Sequence, residues 1–269
     1  MSLLEALVLG IVQGLSEFLP ISSSGHLIVV PWLLGWGTNS LTFDVALHVG
    51  TTLAVLLYFR RDWIDLIRGV LRGLVDPAER QSPRWRLAWM IVLGCIPAAI
   101  AGAVLSSTVE DAVRQPWIVA VLLIVFALVL GYADRVGRQE RELDRFTLRE
   151  ALLVGLAQAL ALMPGVSRSG ITLSAGLLLG LSRESAARFS FLLSMPVILG
   201  AVLLQGYKLA RAGGPQGEEL AFVVGITASA IVGLLAIRFL LAYLRSNNTN
   251  LFVGYRLLAG VAILVLSAV

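Results

Sequence analysis

The chain is short of charge. Asp, Glu, Lys and Arg make up 14% of its 269 residues, where about 25% is usual for soluble domains. That is too little polar surface to coat a water-soluble globule. It excludes a soluble enzyme, a disordered chain and a nucleic-acid reader. Cysteine is limited to Cys95, which excludes an internal disulfide, a zinc cluster and an iron–sulfur site. Histidine is limited to His26 and His48, so a His-rich metal centre is excluded too. No ~10-residue alternating pattern of a membrane β-strand occurs. The first residues hold no basic stretch, and Gln13, Glu17 and Pro20 interrupt their apolar run. A cleaved leader is therefore not expected.

What fills the chain is apolar. Hydrophobic residues reach 58% before the 26 glycines are counted, against about 45–50% with glycine included in soluble domains. The mean hydropathy is +0.86 and the net charge +4, with a pI near 9.7. The composition implies a polytopic helical membrane protein. Its basic residues are then explained by cytoplasmic loops rather than by an anionic polymer. Six stretches have spanning length: Leu41–Phe59, Leu87–Leu105, Trp117–Ala133, Ala186–Gly206, Leu220–Leu244 and Leu251–Val269. Arginines near the ends of the last two are expected to snorkel. Trp85, Trp89 and Trp117 lie near span ends, as interface anchors do.

Two further apolar regions are broken. Leu3–Ile21 is followed by His26–Trp36, and Ala151–Met163 by Ile171–Leu181, each with a Pro/Ser/Gly loop between. The second piece of each is too short for ~30 Å of hydrocarbon. A re-entrant hairpin with its loop buried in protein fits both. With the 60–86 loop in the cytoplasm, the inside segments hold 17 arginines. The outside segments hold only Arg114, Lys208 and Arg211, and Arg168 is left in a hairpin. This obeys the positive-inside rule and puts both termini outside.

The two broken regions align without a gap at a shift of 145, with 12 of 31 positions identical between 5 and 35. Glu5 falls on Glu150, Gln13 on Gln158, and Ser22, Ser24 and Gly25 on Ser167, Ser169 and Gly170. Apolar composition does not align Glu, Gln and two Ser. Three spans separate the copies, so the repeat is inverted. The expected fold is all-α: six transmembrane helices plus two re-entrant helical hairpins, in one membrane domain over 1–269. Its repeats run roughly over 1–133 and 150–269, joined by a cytoplasmic linker, 134–149. The polar loops should face each other near the midplane. GxxxG spacings at Gly10/Gly14 and Gly176/Gly180 allow close helix packing.

The loops carry chemistry. Gln13 and Glu17 share one helix face. Ser22, Ser23 and Ser24 run into Gly25 and His26, while Ser167, Arg168, Ser169 and Gly170 form the second loop. Hydroxyls and glycine-adjacent N–H groups at a helix start bind anions. Arginine presents a planar fork to phosphate. Histidine transfers protons near neutral pH, and glutamate serves as base or hard-cation ligand. Together they suit phosphoryl transfer. Against this, a buried Glu17–Arg168 ion pair would account for both charges without chemistry. Ser16 and Ser174 read as packing residues. His48, on an apolar span one turn after Asp44, reads as a hydrogen-bonded core histidine, with a polar role at the site's outer rim left open.

The motifs Gln13-xxx-Glu17 followed by Phe-Leu-Pro-Ile-Ser-Ser-Ser-Gly-His26, and Pro164-Gly-Val-Ser-Arg168-Ser-Gly170, resemble those of the bacterial undecaprenyl-diphosphate phosphatase family, the integral-membrane type linked to bacitracin resistance. The resemblance spans nearly the whole chain. It implies hydrolysis of the lipid carrier's terminal phosphate, giving undecaprenyl phosphate for peptidoglycan synthesis. It further implies a multi-pass protein of the bacterial plasma (inner) membrane, an outward-facing site and stimulation by Mg²⁺ or Ca²⁺. By position, Glu17 is similar to the essential acid, which is also the implied metal contact. Ser23 is similar to the proposed nucleophile, and His26 to its base or to the nucleophile itself. Arg168 is similar to the phosphate clamp. Ser22, Ser24, Gly25, Ser167, Ser169 and Gly170 would bind phosphate. Gln13 stands where many members have Glu, which weakens a two-carboxylate metal site. The nucleophile stays open between Ser23, His26 and water. A polyprenyl-phosphate flippase or transporter on the same repeat, without hydrolysis, is the other function class. It would have no use for a proton-transferring group beside a phosphate clamp.

Overall fold

In a computed structural model, the structure describes residues 1–37, 40–112, 115–211, 214 and 217–268, with backbone alone at 41 and 105–112. Arg114 and positions 38–39 lie outside the described residues. Eleven α-helices occur among the described residues. They are α1 (Leu3–Phe18), α2 (Ser23–Leu34), α3 (Leu41–Tyr58), α4 (Arg60–Val75), α5 (Pro83–Ala112), α6 (Pro116–Val136), α7 (Leu148–Ala159), α8 (Arg168–Leu178), α9 (Arg183–Arg211), α10 (Glu219–Leu244) and α11 (Asn250–Ala268). An isolated bridge between Arg141 and Leu181 is the β-type pairing seen among them.

Five helices, α5, α6, α9, α10 and α11, are long and apolar enough to cross a membrane, or six if α3 and α4 count as one bent span. The chain is therefore a multi-pass membrane protein. Apolar side chains such as Val104, Leu203 and Leu258 stand exposed on these helices. In water such a surface would be a liability, whereas against lipid it is a requirement. The region read from sequence as the 60–86 loop is largely helix: α4 turns 75° away from α3 after Tyr58. It carries Arg60, Arg61, Arg68 and Arg72 beside exposed Ile64, Ile67 and Leu71. That is the make-up of a helix lying along an interface.

The two broken regions share one local cause. A residue before proline is pushed out of the helical region. Leu19 before Pro20 is extended (φ −66°, ψ 141°), and so is Met163 before Pro164 (φ −82°, ψ 121°). The next helix then starts from a serine at positive φ: Ser22 at 79° and Ser167 at 73°. Such φ values are strained for residues with a Cβ. The first helices of the two copies start alike too. Ser2 with Glu5, and Thr147 with Glu150, each form a reciprocal capping box. This explains the Glu5/Glu150 match. Helices α2 and α8 have 12 and 11 residues, about 18 Å or less at 1.5 Å per residue.

Each copy's first helix is seated by glycine on a distant helix. A Cβ at Gly10 would stand 2.5 Å from the Gly225 carbonyl oxygen of α10, and one at Gly155 only 2.1 Å from the Gly94 carbonyl oxygen of α5. Any side chain there would force the backbones apart. Behind the loops, Phe18 meets Phe191 edge-on at 5.4 Å between ring centroids, and Phe59 lies 6.2 Å from Phe191. On the side of the 134–149 segment, Asp134 accepts from Arg183 Nε (2.6 Å) and from the Thr249 backbone N–H (2.9 Å). Arg141 donates to Glu150 Oε1 (2.5 Å), so that segment is held to the bundle.

Candidate active site

The α1–α2 and α7–α8 loops meet. The Gly165 N–H donates to Ser22 Oγ across 3.0 Å, and Ser169 Oγ donates to the Leu19 carbonyl at 3.1 Å. Ser167 Oγ caps its own helix, accepting from the Gly170 N–H at 3.1 Å. Ser22, Ser167 and Ser169 are buried, and their hydroxyls join and cap the loops. Gly25 and Gly170 lie in the same scaffold, packed against Val119 and Arg256. Of the six residues expected to bind phosphate, Ser24 is the one that lines an open cleft of about 180 Å³. The cleft also holds Glu17, Ser23, His48, Gln158 and Arg168. Ala98, Leu162, Val197 and Ile198 make its apolar wall.

Glu17 is the hub. It is 5% exposed. Its Oε1 accepts from Arg168 Nη2. Its Oε2 accepts from Ser23 Oγ at 2.6 Å and from Gln13 Nε2 at 3.1 Å. The ion pair foreseen as a purely structural alternative is thus present. It does not exhaust the arginine, because Arg168 Nη1 is buried without a protein partner. The free prong is what a phosphate oxygen would take.

The two histidines exchange the places the sequence suggests for them. His26 does not line the cleft. Its Nδ1 donates to the Ser22 carbonyl at 2.7 Å, and its Nε2 accepts from the Tyr255 hydroxyl at 2.6 Å. Both nitrogens are occupied. His48, read as a core histidine, lines the cleft instead. Its Nδ1 donates to the Asp44 carbonyl at 2.8 Å, which leaves Nε2 3.6 Å from Glu17 Oε2.

Arg256 is the residue that sequence reasoning placed elsewhere. The sequence groups it with the cytoplasmic arginines at a span end, free to snorkel. It is fully buried. Its guanidinium donates to four carbonyls: Pro20 (3.2 Å) in one loop, Gly165 (2.8 Å) and Val166 (3.0 Å) in the other, and Leu123 (3.2 Å) on α6. The inside count of arginines therefore loses one member. Arg256 stands about two turns inside α11, and that depth was the available signal. Gln158 lines the cleft, and its match to Gln13 is the signal for it in the sequence.

A divalent cation has little to hold it here. Ca²⁺ takes six to eight oxygens, whereas Mg²⁺ keeps several waters and uses one or two carboxylates besides the phosphates of a substrate. Glu17 brings one carboxylate with both oxygens engaged, and Gln13 brings an amide. No cluster of three or more His, Cys, Asp and Glu that could hold a metal occurs among the described residues. These residues do not build an all-protein cage; Glu17 and the unpaired, buried Gln13 Oε1 are the oxygens that a cation shared with a phosphate group would meet.

Known proteins agree with the motif reading. A family described as Bacitracin resistance protein BacA matches residues 6–262. An undecaprenyl-diphosphatase of Trichlorobacter lovleyi is 51% identical, covering 100% of this chain and 98% of its own. Proteins of the same name from Geobacter metallireducens (49%, 98% of each chain) and Moorella thermoacetica (51%, 96% of this chain and 95% of its own) are similar over comparable lengths.

Proposed function

The chain belongs to the Bacitracin resistance protein BacA family, and from that premise we propose that it hydrolyses undecaprenyl diphosphate to undecaprenyl phosphate and inorganic phosphate. It is a membrane phosphatase that returns the lipid carrier to peptidoglycan synthesis. The observation that carries the reading is the Ser23–Glu17–Arg168 constellation, with one guanidinium prong unpaired in a cleft that is polar on one wall and apolar on another. The diphosphate sits at the polar wall and the start of the prenyl chain at the apolar one.

In the mechanism we favour, Ser23 Oγ attacks the terminal phosphorus. Glu17 Oε2 takes its proton as the bridging P–O bond breaks and undecaprenyl phosphate leaves. Arg168 Nη1 holds an equatorial oxygen of the transferred group. Water then attacks the phosphoserine, Ser23 Oγ leaves with the proton from Glu17, and inorganic phosphate departs. His26 and Tyr255 position the start of α2, and Gln13 orients Glu17. Glu17 and the Gln13 carboxamide oxygen would be the protein contacts of a Mg²⁺ or Ca²⁺ ion, which would supply charge neutralisation at the diphosphate.

The finer architecture belongs to the same proposal: a single membrane domain of six spans and two re-entrant hairpins, inverted repeats over about 1–133 and 150–269, and a bacterial inner membrane with the cleft facing outward. The positive-φ serines and the capping boxes, which match at the shift of 145, support the repeat, as do the loop prolines, which lie one position out of register. The arginine distribution supports the orientation. The test is phosphate release from purified, detergent-solubilised protein given undecaprenyl diphosphate. Release lost in Glu17→Gln and Arg168→Ala supports the reading. Lipid movement in vesicles without phosphate release would replace it with a flippase.

A further inference from the structure

Gln158 is 4% exposed, lines the cleft, and has no hydrogen-bond partner at either Nε2 or Oε1. Buried polar groups are nearly always paired, so a carboxamide with both ends vacant calls for an explanation. The 145-residue alignment sets Gln158 against Gln13. In the first copy Gln13 donates to Glu17, one turn further along α1. In the second copy the position matching Glu17 is Leu162, also in the cleft wall. Gln158 has kept the amide and lost the carboxylate that would receive it. Arg168 Nη1 is unpaired in the same cleft. Two vacant donors and one acceptor, buried together at a cavity, match a phosphate group and a water bound to it.

We propose that Gln158 is a substrate-binding residue that acts with Arg168 on the diphosphate head group. Its Nε2 donates to a phosphate oxygen, and its Oε1 accepts from a water held on that group. This rests on the phosphatase reading for the identity of the ligand. Ser23, Glu17 and the chemical step do not pass through Gln158.

The test separates binding from turnover and from folding. Gln158→Leu and Gln158→Glu are made in the full chain, each alone and together with Ser23→Ala. Farnesyl diphosphate binding to the Ser23→Ala forms is measured by calorimetry in detergent, with farnesol as the control. We expect Gln158→Leu to weaken farnesyl diphosphate binding and raise KM by about 10- to 100-fold, the size of one hydrogen bond to a charged group. Gln158→Glu should weaken both further by repulsion, and farnesol binding should not change. Gln158→Leu should also melt no lower than wild type, because it removes a buried unpaired amide. Unchanged KM and unchanged diphosphate affinity in both variants would overturn the proposal, as would a lowered melting point with diphosphate affinity intact. If the wild type releases no phosphate yet binds farnesyl diphosphate in a Gln158-dependent way, the phosphatase reading fails and this one stands.

Discussion

The Tyr255 hydroxyl lies 2.6 Å from His26 Nε2, and the two rings stack with centroids 5.7 Å apart. The imidazole that the motif places three residues after Ser23 is thereby turned toward α11, and it does not line the cleft. His26 Nδ1 is closed off by the Ser22 carbonyl, so the ring tethers the start of α2.

The two residues should therefore behave as one unit. Tyr255→Phe and His26→Ala should each reduce kcat/KM by up to about tenfold, and the double variant should be no worse than the poorer single. A double-mutant cycle in phosphate release reads this. A loss of ~10²–10⁴-fold confined to His26→Ala is the signature of a general base and would return that role to His26.

Ser23 donates its only proton to Glu17, the geometry of a nucleophile with its base. Ser23→Ala should lose about 10³-fold or more in kcat. Rapid quench of the wild type should trap a phosphoserine that survives acid. An acid-labile adduct, or substantial turnover by Ser23→Ala, would move the attack to a histidine or to water.

Arg168 pairs Glu17 through Nη2, and its Nη1 is buried without a protein partner. Lysine preserves the charge but has no planar fork. Arg168→Lys should cost about 10²–10³-fold in kcat, by analogy with removal of one oxyanion donor. Near-wild-type kcat in a folded Lys variant would make the arginine structural.

Arg256 ties both loops through their carbonyls. Arg256→Met leaves those acceptors unpaired while relieving a buried charge. The first effect should win, with unfolding in detergent easier by about 2 kcal/mol. The loops should also lose register, lowering kcat/KM. Full stability with full activity would exclude the clamp.

Orientation can be read with single cysteines. Cys95 is buried, and its thiol is bonded to the Leu193 carbonyl, so background labelling should be low. In intact cells a membrane-impermeant maleimide should label Lys208→Cys. It should not label Arg138→Cys until the membrane is opened. Labelling of Arg138→Cys from outside would invert the proposed topology.

Much of this was legible in the sequence because it depends on composition and local geometry. Scarce charge and long apolar runs select a membrane bundle. Pro20 and Pro164 stand beside Ser/Gly loops, where the helix ends, whereas Pro31, Pro97 and Pro196 are carried inside helices; the 145-residue shift pairs the broken regions. The motifs named the family, and the two polar loops that the shift aligns do meet. The remainder needed the tertiary structure, for a physical reason. A helix's period says which side chains share a face, but only its packing partners decide where that face points. Glycine contacts at Gly10 and Gly155 set the rotation of α1 and α7, and so deliver Glu17 and Gln158 to the cleft. The turn of α2 toward α11 gives His26 to Tyr255 and leaves the cleft to His48. Arg256 looks in sequence like any arginine near a span end. Its partners are carbonyls, which every residue carries, so no residue pattern marks them. Only the convergence of three chain segments makes it the clamp between the loops.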